Sequence, residues 1–292
     1  IQLNILTKNF LQKKKLSFYF PKNIQEDKTF FKFIISKNYP IKKKPILSRI
    51  VIKTLNYLSF GSYPYANFFS KFFLLSHYKS NSINEFKVQA LKNQKQINLT
   101  NSPSFRLLFN TIFLFKKEYG KMPLSILDVG GGLGENILLL KKKYKINLNC
   151  TILENETLVK ILKKNHFNHC RFLSNYKGIH SNERFDIIFF SASLEYIYKR
   201  YELLRKLSSY TKKLLVIGRM NIEKMEKYKI QASTFGQNVP FIENLPSEKD
   251  KLIFYPYRNL SLKKIGNILR GFKVLNKKYD DNYKLNIIFK KK

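Results

Sequence analysis

Residues 124–136, which read LSILDVGGGLGEN, constrain the fold more than any other stretch of the sequence. The apolar residues at its start predict a short parallel strand that is buried on both faces. Residues 130–134, all glycine except one leucine, then allow positive φ angles and a close approach of the backbone to a ligand. The helix predicted for residues 134–144 points its free N–H groups at this turn, which favours a carboxylate or a hydroxyl-rich ligand there.

The spacing of the glycines distinguishes two kinds of nucleotide site. The dinucleotide fingerprint has glycine at its first, third and sixth positions, but the sixth position counted from Gly130 is Glu135. Gly130, Gly132 and Gly134, preceded by Asp128, resemble instead the Asp-x-Gly-x-Gly-x-Gly signature of class I methyltransferases, which use S-adenosylmethionine. A strand-to-helix corner that binds no ligand is the alternative interpretation.

The following strand supports a cofactor site. Alternating apolar and polar residues over 146–152 predict this strand, which is closed by Leu153 and Glu154. Glu154 lies 24 residues after Gly130, close to the offset of about 20 residues at which open α/β folds place an acid on the ribose hydroxyls. A solvated acid at a strand end is the alternative. Both signals together favour binding of a nucleoside.

The rest of the C-terminal half predicts an α/β fold. Further strands are expected at 170–173, 185–190, 214–218, 272–279 and 284–289. Turn-forming residues between the last two strands indicate an antiparallel final pair. We therefore expect a Rossmann-like, seven-stranded methyltransferase sheet with an antiparallel last strand, over residues 121–292. Residues 1–120 are expected to form a helical, basic N-terminal extension or cap, and the loop-rich insertion 221–257 an acceptor-binding lid.

The net charge of +36, from 55 Lys and Arg against 19 Asp and Glu, indicates an anionic membrane or a nucleic acid as a partner. Compositional bias toward lysine, as an AT-rich genome produces, is the alternative. Lysines interleaved with aromatic residues in the N-terminal third are typical of peripheral membrane helices, or of a cap on the catalytic domain. No apolar run predicts a transmembrane helix. Cys150 and Cys170 lack metal-ligand spacing, so no metal site and a reduced, cytoplasmic compartment are expected.

Candidate catalytic residues follow the fourth predicted strand, at the edge where open α/β folds bind ligands. Residues 191–196, SASLEY, are predicted to lead into a helix that reaches residue 207. Glu195 and Tyr196 are the leading candidates for a base that acts on the acceptor hydroxyl, although helix-dipole stabilisation alone would also select a glutamate there. His180, in the preceding loop, is the reserve because of its suitable pKa. Arg219 or Arg258 would meet a phosphate or carboxylate if the acceptor carries one.

From about residue 60 onward, the chain resembles a bacterial family of methyltransferases, many of them encoded among genes for surface-polysaccharide assembly. The resemblance rests on LDVGGGLG (127–134), LE (153–154), FD (185–186), LEYI (194–197), VP (239–240), YP (255–256) and GF (271–272). It implies S-adenosylmethionine as the cofactor and a hydroxyl of a sugar, glycan or lipid-linked sugar as the acceptor; the basic N-terminal third would place the protein at the cytoplasmic face of the membrane. The cofactor-binding residues are then expected to be Asp128, Gly130, Gly131, Gly132, Gly134, Glu154, Asn175 and Ser191.

Two other classes of function stay open. An RNA methyltransferase fits the charge and the aromatic-lysine pattern, but no RNA-binding module and no catalytic Asn-Pro-Pro-Tyr or cysteine motif occurs in the sequence. A non-catalytic adapter that keeps the fold is favoured by Asn175, an amide where many methyltransferases have an acid that binds the adenine amine.

Overall fold

The computed structural model describes residues 81–93, 100–120, 123–222, 226, 228–234, 252–280 and 284–292. Residues 1–80, with the predicted membrane-surface segments and most of the predicted extension, lie outside this part, as do residues 235–251 of the predicted lid. The described helices are α1 (Asn81–Asn93), α2 (Pro103–Tyr119), α3 (Glu135–Tyr144), α4 (Glu156–Lys164), α5 (Arg200–Ser208) and α6 (Leu262–Ile268). None of them is both long enough and apolar enough to cross a membrane.

The described strands form two sheets. They are β1 (Leu124–Val129), β2 (Leu148–Leu153), β3 (Arg171–Leu173), β4 (Phe185–Ser191), β5 (Thr211–Met220), β6 (Tyr228–Thr234), β7 (Leu252–Arg258), β8 (Phe272–Tyr279) and β9 (Leu285–Lys291). The larger sheet has the order β3-β2-β1-β4-β5-β9-β8, with β1 to β5 parallel and β9 antiparallel to both β5 and β8. The predicted Rossmann-like methyltransferase sheet with an antiparallel last strand is confirmed.

Both faces of the larger sheet are covered, which explains why its central strands are almost entirely apolar. Ile187 and Phe189 point to the face that α1, α2, α3 and α4 cover, whereas Ile188 and Phe190 point to the face that α5 and α6 cover. Burying apolar side chains on both faces contributes on the order of 25 cal/mol per Å² of surface removed from water. The helices therefore hold the strand ends in fixed relative positions.

Helix α2 packs directly on β5. A Cβ atom at Gly218 would lie 2.1 Å from Cδ2 of Leu107, so only glycine lets the helix approach the strand this closely. Leu108 and Ile112 of the same helix are buried in the cluster that also contains β1 and β4. As a result, the first turn of α2 lies beside the carboxyl ends of β4 and β5. The predicted domain division at residue 120 stays a prediction, because residues 1–80 lie outside the described part.

The helix predicted to follow residues 191–196 is present as α5, which ends at Ser208, but Glu195 does not lie in its first turn. A single 3-10 turn spans Leu194–Tyr196, and α5 begins only at Arg200. Between them, Ile197 has an extended backbone with φ −90° and ψ 125°. The side chain of Glu195 is buried and accepts a hydrogen bond from the backbone N–H of Asn221. This tertiary contact replaces the first helical turn that the sequence predicted at Glu195.

The insertion predicted as loop-rich contains regular structure as well. β6 and β7 pair antiparallel, with Ile230 opposite Pro256. A proline inside an apolar run argues against a central strand, which is why the sequence indicated a loop. Both strands of a two-stranded sheet are edge strands, where a missing N–H is tolerated. The prediction of an irregular segment is therefore wrong for these strands, while residues 235–251 lie outside the described residues.

Candidate functional site

The turn after β1 has the conformation that its glycines predict. Gly130, Gly132 and Gly134 have φ angles of 75°, 61° and 77°, which side-chain-bearing residues adopt only at a cost. The N–H of Gly130 donates to the carbonyl of Leu153 over 2.8 Å, which ties the turn to the end of β2. A Cβ atom at Gly130 would lie 2.6 Å from Cβ of Ser193, so the segment after β4 packs against the turn.

Helix α3 begins immediately after this turn. Its N-cap residue, Gly134, offers no side-chain hydrogen bond, while the N–H of Leu133 donates to the carboxylate of Glu135 over 3.1 Å. The positive end of the helix dipole therefore faces the turn, as an anion-binding helix N-terminus requires. Asn136 Oδ1 and Ser193 Oγ are buried beside the turn and have no hydrogen-bond partner among the described residues. Of these two residues, Asn136 lines the cavity beside the turn.

A cavity of about 130 Å³ lies against the turn. Charged groups line the end near α3, and hydroxyl groups line the end near α2 and β4. Its polar lining consists of residues 130–132, Asp128, Glu135, Asn136, Lys87, Ser104 and Ser191. Of the predicted cofactor-binding residues, Asp128, the first three glycines and Ser191 therefore meet at one cavity.

The ionisable groups at this cavity are strongly coupled. Burial, followed by the charges of Glu135 and Glu154, raises the pKa of Asp128 from 3.8 to about 8. Burial likewise raises the pKa of both glutamates, against the opposing effects of backbone hydrogen bonds and of the Lys87 ammonium. Burial lowers the pKa of Lys87 from 10.5 to about 8, although Glu154 and Glu135 oppose this. A ligand that carries positive charge would favour ionisation of these acids, so the site suits such a ligand.

Glu154 and Asn175 follow the carboxyl ends of β2 and β3. Glu154 is half-buried, and its Oε2 accepts hydrogen bonds from the backbone and side-chain nitrogens of Asn155 at 2.5 and 2.8 Å. Its carboxylate also accepts a hydrogen bond from the backbone of Gly132, which ties Glu154 to the glycine turn. Asn175 is exposed, and its Oδ1 caps the short turn Tyr176–Gly178 by accepting from the N–H of Lys177 over 3.0 Å. The structure thus places both residues on the same edge as the glycine turn.

The two leading catalytic candidates have opposite environments. Glu195 is 2% exposed, and burial raises its pKa, against the opposing effects of the Asn221 N–H, Lys284 and Arg219. Tyr196 is 37% exposed, and its ring centroid lies 6.5 Å from that of Tyr257 in β7. Tyr196 is therefore accessible to solvent, whereas the carboxylate of Glu195 is buried and accepts the hydrogen bond of the Asn221 N–H.

The structure does not bring His180 to the glycine turn. Its backbone N–H donates to the carboxylate of Glu183 over 3.3 Å. The same carboxylate forms an ion pair of 2.7 Å with Arg171, the first residue of β3. Since parallel strands begin at one edge of the sheet and end at the other, His180 lies near the amino edge, away from the carboxyl edge that holds the turn.

Four polar lining residues, Lys87, Ser104, Glu135 and Asn136, were not among the predicted site residues, and the first two lie outside the glycine motif. Lys87 is 5% exposed and shares one face of α1 with Asn84, Val88 and Leu91. The spacing of these four residues is that of a buried helix face, so a lysine among them was a detectable signal. Ser104 in the first turn of α2 has no such signal, because its role depends on how α2 packs on β5.

Asp128→Asn is expected to remove part of the pH dependence of stability. In the folded protein the pKa of Asp128 is about 8 instead of 3.8, so its stabilising contribution is complete below pH 4 and is lost as pH rises through 8. Relative to wild type, the variant should gain free energy of unfolding between pH 5 and 8, on the order of 2–4 kcal/mol. Urea titrations of the ligand-free protein at several pH values measure the difference. Parallel curves for the two proteins would contradict it.

The order of the strands, together with a glycine turn after β1, defines a Rossmann-like methyltransferase fold. No protein-family model matches the sequence, and a search of curated proteins finds no match. Among solved structures, the chain is similar to an S-adenosylmethionine-dependent methyltransferase from Clostridium acetobutylicum, with 13% identity, coverage of 72% of this chain and 98% of that chain, and a TM-score of 0.43.

Two further solved structures have comparable similarity. A 1,6-didemethyltoxoflavin-N1-methyltransferase from Burkholderia thailandensis has 12% identity, coverage of 73% of this chain and 88% of that chain, and a TM-score of 0.43. A methyltransferase from Aquifex aeolicus has 16% identity, coverage of 70% of this chain and 98% of that chain, and a TM-score of 0.41. The fold assignment rests on the strand order of the chain itself.

Proposed function

We propose that the protein is an S-adenosylmethionine-dependent methyltransferase that methylates a hydroxyl of a sugar or glycan intermediate of surface-polysaccharide synthesis. The observation that carries the proposal is the site at the carboxyl edge of the sheet. There, three left-handed glycines and the N-terminus of α3 adjoin an acid-lined cavity, and Glu154 follows the neighbouring strand. Such a site combines groups for a carboxylate, for a cation and for ribose hydroxyls.

The residues of the site fit this cofactor. The amides of the turn suit its carboxylate, and the carboxylate of Glu154 suits its ribose. Asn136 Oδ1 and Ser193 Oγ, buried without partners among the described residues, suit its ammonium. When bound, S-adenosylmethionine supplies an activated methyl group on a cationic sulfonium, and the acids Asp128 and Glu135 complement that charge. Asn175 would accept from the adenine amine through its amide oxygen in place of a carboxylate.

The task left to the protein is to hold the acceptor oxygen in line with the methyl group and to assist loss of its proton. We assign the contact with the acceptor to Tyr196, because it is the accessible member of the pair after β4. The buried carboxylate of Glu195 fits a positioning role better than direct proton transfer. His180, at the other edge of the sheet, has no part in this proposal.

The acceptor lid of the proposal is anchored to the core by charged and aromatic side chains. Arg200 of α5 is 1% exposed, and its guanidinium lies 5.4 Å from the ring centroid of Tyr228 in β6. Arg258 of β7 lies 5.0 Å from the same ring and forms an ion pair of 3.0 Å with Glu226. These contacts fix the described ends of the insertion beside the turn that contains Tyr196.

A transfer assay with radiolabelled S-adenosylmethionine tests the proposal against its rivals. The substrates are nucleotide sugars, lipid-linked glycans and bulk RNA, with the full chain as enzyme. Transfer to a sugar-containing substrate supports the proposal. Since the net charge of +36 favours an RNA partner, transfer to RNA alone would assign the rival function. Binding of S-adenosylmethionine without transfer to any substrate would favour the adapter.

Glu154→Ala is expected to weaken binding of S-adenosylhomocysteine at least about tenfold. The variant loses charge-assisted hydrogen bonds to the ribose, each of which contributes on the order of 1.5–3 kcal/mol. Calorimetry on the purified protein measures the affinity. Glu156→Ala is the matched control, since Glu156 is exposed and pairs only with Lys160 within α4 among the described residues. Equal affinities for wild type and Glu154→Ala would show that Glu154 does not bind the nucleoside.

A further inference from the structure

Arg219 has an unusual environment at the carboxyl end of β5. One nitrogen of its guanidinium, Nη1, donates to Ser104 Oγ over 3.1 Å, and its Nε is buried without a partner. Among the described residues, no carboxylate lies within 4.0 Å of the guanidinium, although 4.0 Å is the range of an ion pair. A guanidinium has five N–H donors in a planar fork. Most of that fork is therefore not used by the described part of the chain.

The backbone of Arg219 is held in a conformation that arginine does not favour. Its φ angle is 57°, in a bulge where the pairing of β5 with β9 shifts register, and its N–H donates to Asn286 Oδ1 over 2.8 Å. Lys145 and His166 also have positive φ, but they lie just after the ends of α3 and α4, where this conformation is common. Strained backbone away from helix ends clusters at functional sites. The strain directs the Arg219 side chain toward Ser104.

Ser104 connects Arg219 to the cavity beside the glycine turn. Its Oγ accepts from Arg219 and is also the partner of Ser191 Oγ at 2.9 Å. Ser104 and Ser191 both line the cavity. The guanidinium therefore lies next to the cavity, in contact with one of its lining hydroxyl groups, although Arg219 itself is not among the lining residues.

Arg258, the other candidate for contact with an anion, is already neutralised. It forms an ion pair with Glu226, and its guanidinium lies over the ring of Tyr228. Arg219 has no ion pair within 4.0 Å and no aromatic partner among the described residues, although its charge acts on the buried carboxylate of Glu195. The two arginines are thus distinguished by their surroundings, and Arg219 keeps N–H donors for a carboxylate or a phosphate.

We propose that Arg219, together with Ser104 and Ser191, forms an anion-binding subsite for the acceptor, so that the methylated sugar carries a carboxylate or a phosphate. This inference rests on the proposed methyl-transfer function. The carboxylate of the cofactor is accounted for at the glycine turn, where the N-terminus of α3 favours it. β5 lies two strands from β1, which is a separation of about 10 Å across the sheet. The anion at Arg219 therefore belongs to the second substrate.

Calorimetry with three sugar probes tests the subsite. D-glucuronate, α-D-glucose 1-phosphate and neutral D-glucose are titrated into the full chain in the presence and absence of S-adenosylhomocysteine. At least one anionic probe is expected to bind wild type at least about tenfold more tightly than glucose, and the preferred probe identifies the anion as a carboxylate or a phosphate. Arg219→Gln should lose this preference. Arg205→Gln, an exposed arginine on α5, is the matched control and should keep it.

Arg219→Gly tests whether a loss of anion affinity can occur without a loss of stability. Glycine accommodates a φ of 57° without strain, so the melting temperature should equal or exceed that of wild type while the anionic probes lose their advantage. Two results would overturn the subsite. The first is that the anionic probes bind the Arg219 variants with the same affinity as they bind wild type. The second is that wild type binds the anionic probes with no higher affinity than glucose.

A third comparison, between two nucleosides, tests whether the anion that binds Arg219 belongs to the cofactor or to the acceptor. If Arg219→Gln weakens S-adenosylhomocysteine but not 5′-methylthioadenosine, which lacks the carboxylate, the anion is that of the cofactor and the acceptor subsite is overturned. Equal binding of both nucleosides by variant and wild type supports the acceptor assignment. Failure of wild type to bind S-adenosylhomocysteine would count against the proposed function, and this is seen before any variant is compared.

Discussion

Gly132→Asp is expected to lower the affinity for S-adenosylmethionine at least about 100-fold while the protein keeps its fold. Gly132 has a φ of 61°, a conformation that aspartate and asparagine tolerate better than other side chains. A Cβ atom there has no contact closer than 3.4 Å, which is the distance to Glu135 Oε2. The new carboxylate would face the carboxylate of the cofactor, and like charges about 4 Å apart near a protein surface repel by roughly 4 kcal/mol. Calorimetry measures the affinity, and circular dichroism the fold.

Gly132→Asn is the matched control for this prediction, because it has the same size and the same backbone tolerance without the charge. It should retain much more of the affinity than Gly132→Asp. Gly134→Ala provides the opposite contrast, since its Cβ would lie 2.7 Å from both His169 Nε2 and Ile152 Cδ1, at a φ of 77°. That variant should lose stability. Binding of S-adenosylmethionine by Gly132→Asp with wild-type affinity would show that the cofactor does not approach the turn.

The parts of the site that could be predicted are those in which neighbours in sequence are also neighbours in space. β1, the glycine turn and α3 form one uninterrupted stretch, so the spacing of Gly130, Gly132 and Gly134 indicated a ligand-binding turn directly. Glu154 followed from the general position of an acid after the second strand. The parallel order of the strands then required these two parts to meet at the same edge of the sheet.

The hydroxyl-lined end of the cavity could not be predicted in the same way. Ser104, Ser191, Arg219 and Asn286 come from α2, β4, β5 and β9, and they meet only because α2 packs on Gly218. No local sequence pattern predicts that contact between α2 and β5. The bulge that gives Arg219 its positive φ depends likewise on the pairing of β5 with β9, which is long-range information.

The segment after β4 shows how a tertiary contact overrides local preference. The sequence predicts Glu195 in the first turn of a helix that reaches residue 207, but Glu195 lies in a separate 3-10 turn, and its carboxylate accepts from the N–H of Asn221 at the end of β5. The amine of Lys284, in turn, donates to the side chain of Asn221. This chain of contacts joins the segment after β4 to the end of β5 and to the start of β9. It connects the segment that contains Tyr196, whose ring lies 6.5 Å from that of Tyr257 in β7, to these strand ends.

Glu195→Ala is expected to lower the free energy of unfolding by about 2–4 kcal/mol. The side chain is 2% exposed, so its removal opens a cavity and leaves the Asn221 N–H without its acceptor. Denaturant titration measures the loss. Glu202→Ala, an exposed glutamate of α5 that pairs with Lys199, is the control and should change stability by less than about 1 kcal/mol. A similar small change for Glu195→Ala would be inconsistent with the buried contact.

Glu195→Gln then separates positioning from proton transfer, since glutamine keeps an acceptor oxygen for the Asn221 N–H but cannot act as a base. If Glu195 only positions the segment, Glu195→Gln should keep the stability of wild type and most of its kcat. The free energy of unfolding that Glu195→Ala loses would then be restored in Glu195→Gln. Loss of a general base costs roughly 10²–10⁴-fold in rate, so a fall of that size in a stable Glu195→Gln protein with unchanged cofactor affinity would assign proton transfer to Glu195. If Tyr196 contacts the acceptor as proposed, Tyr196→Phe should instead raise the KM for the acceptor, because the variant lacks the hydroxyl.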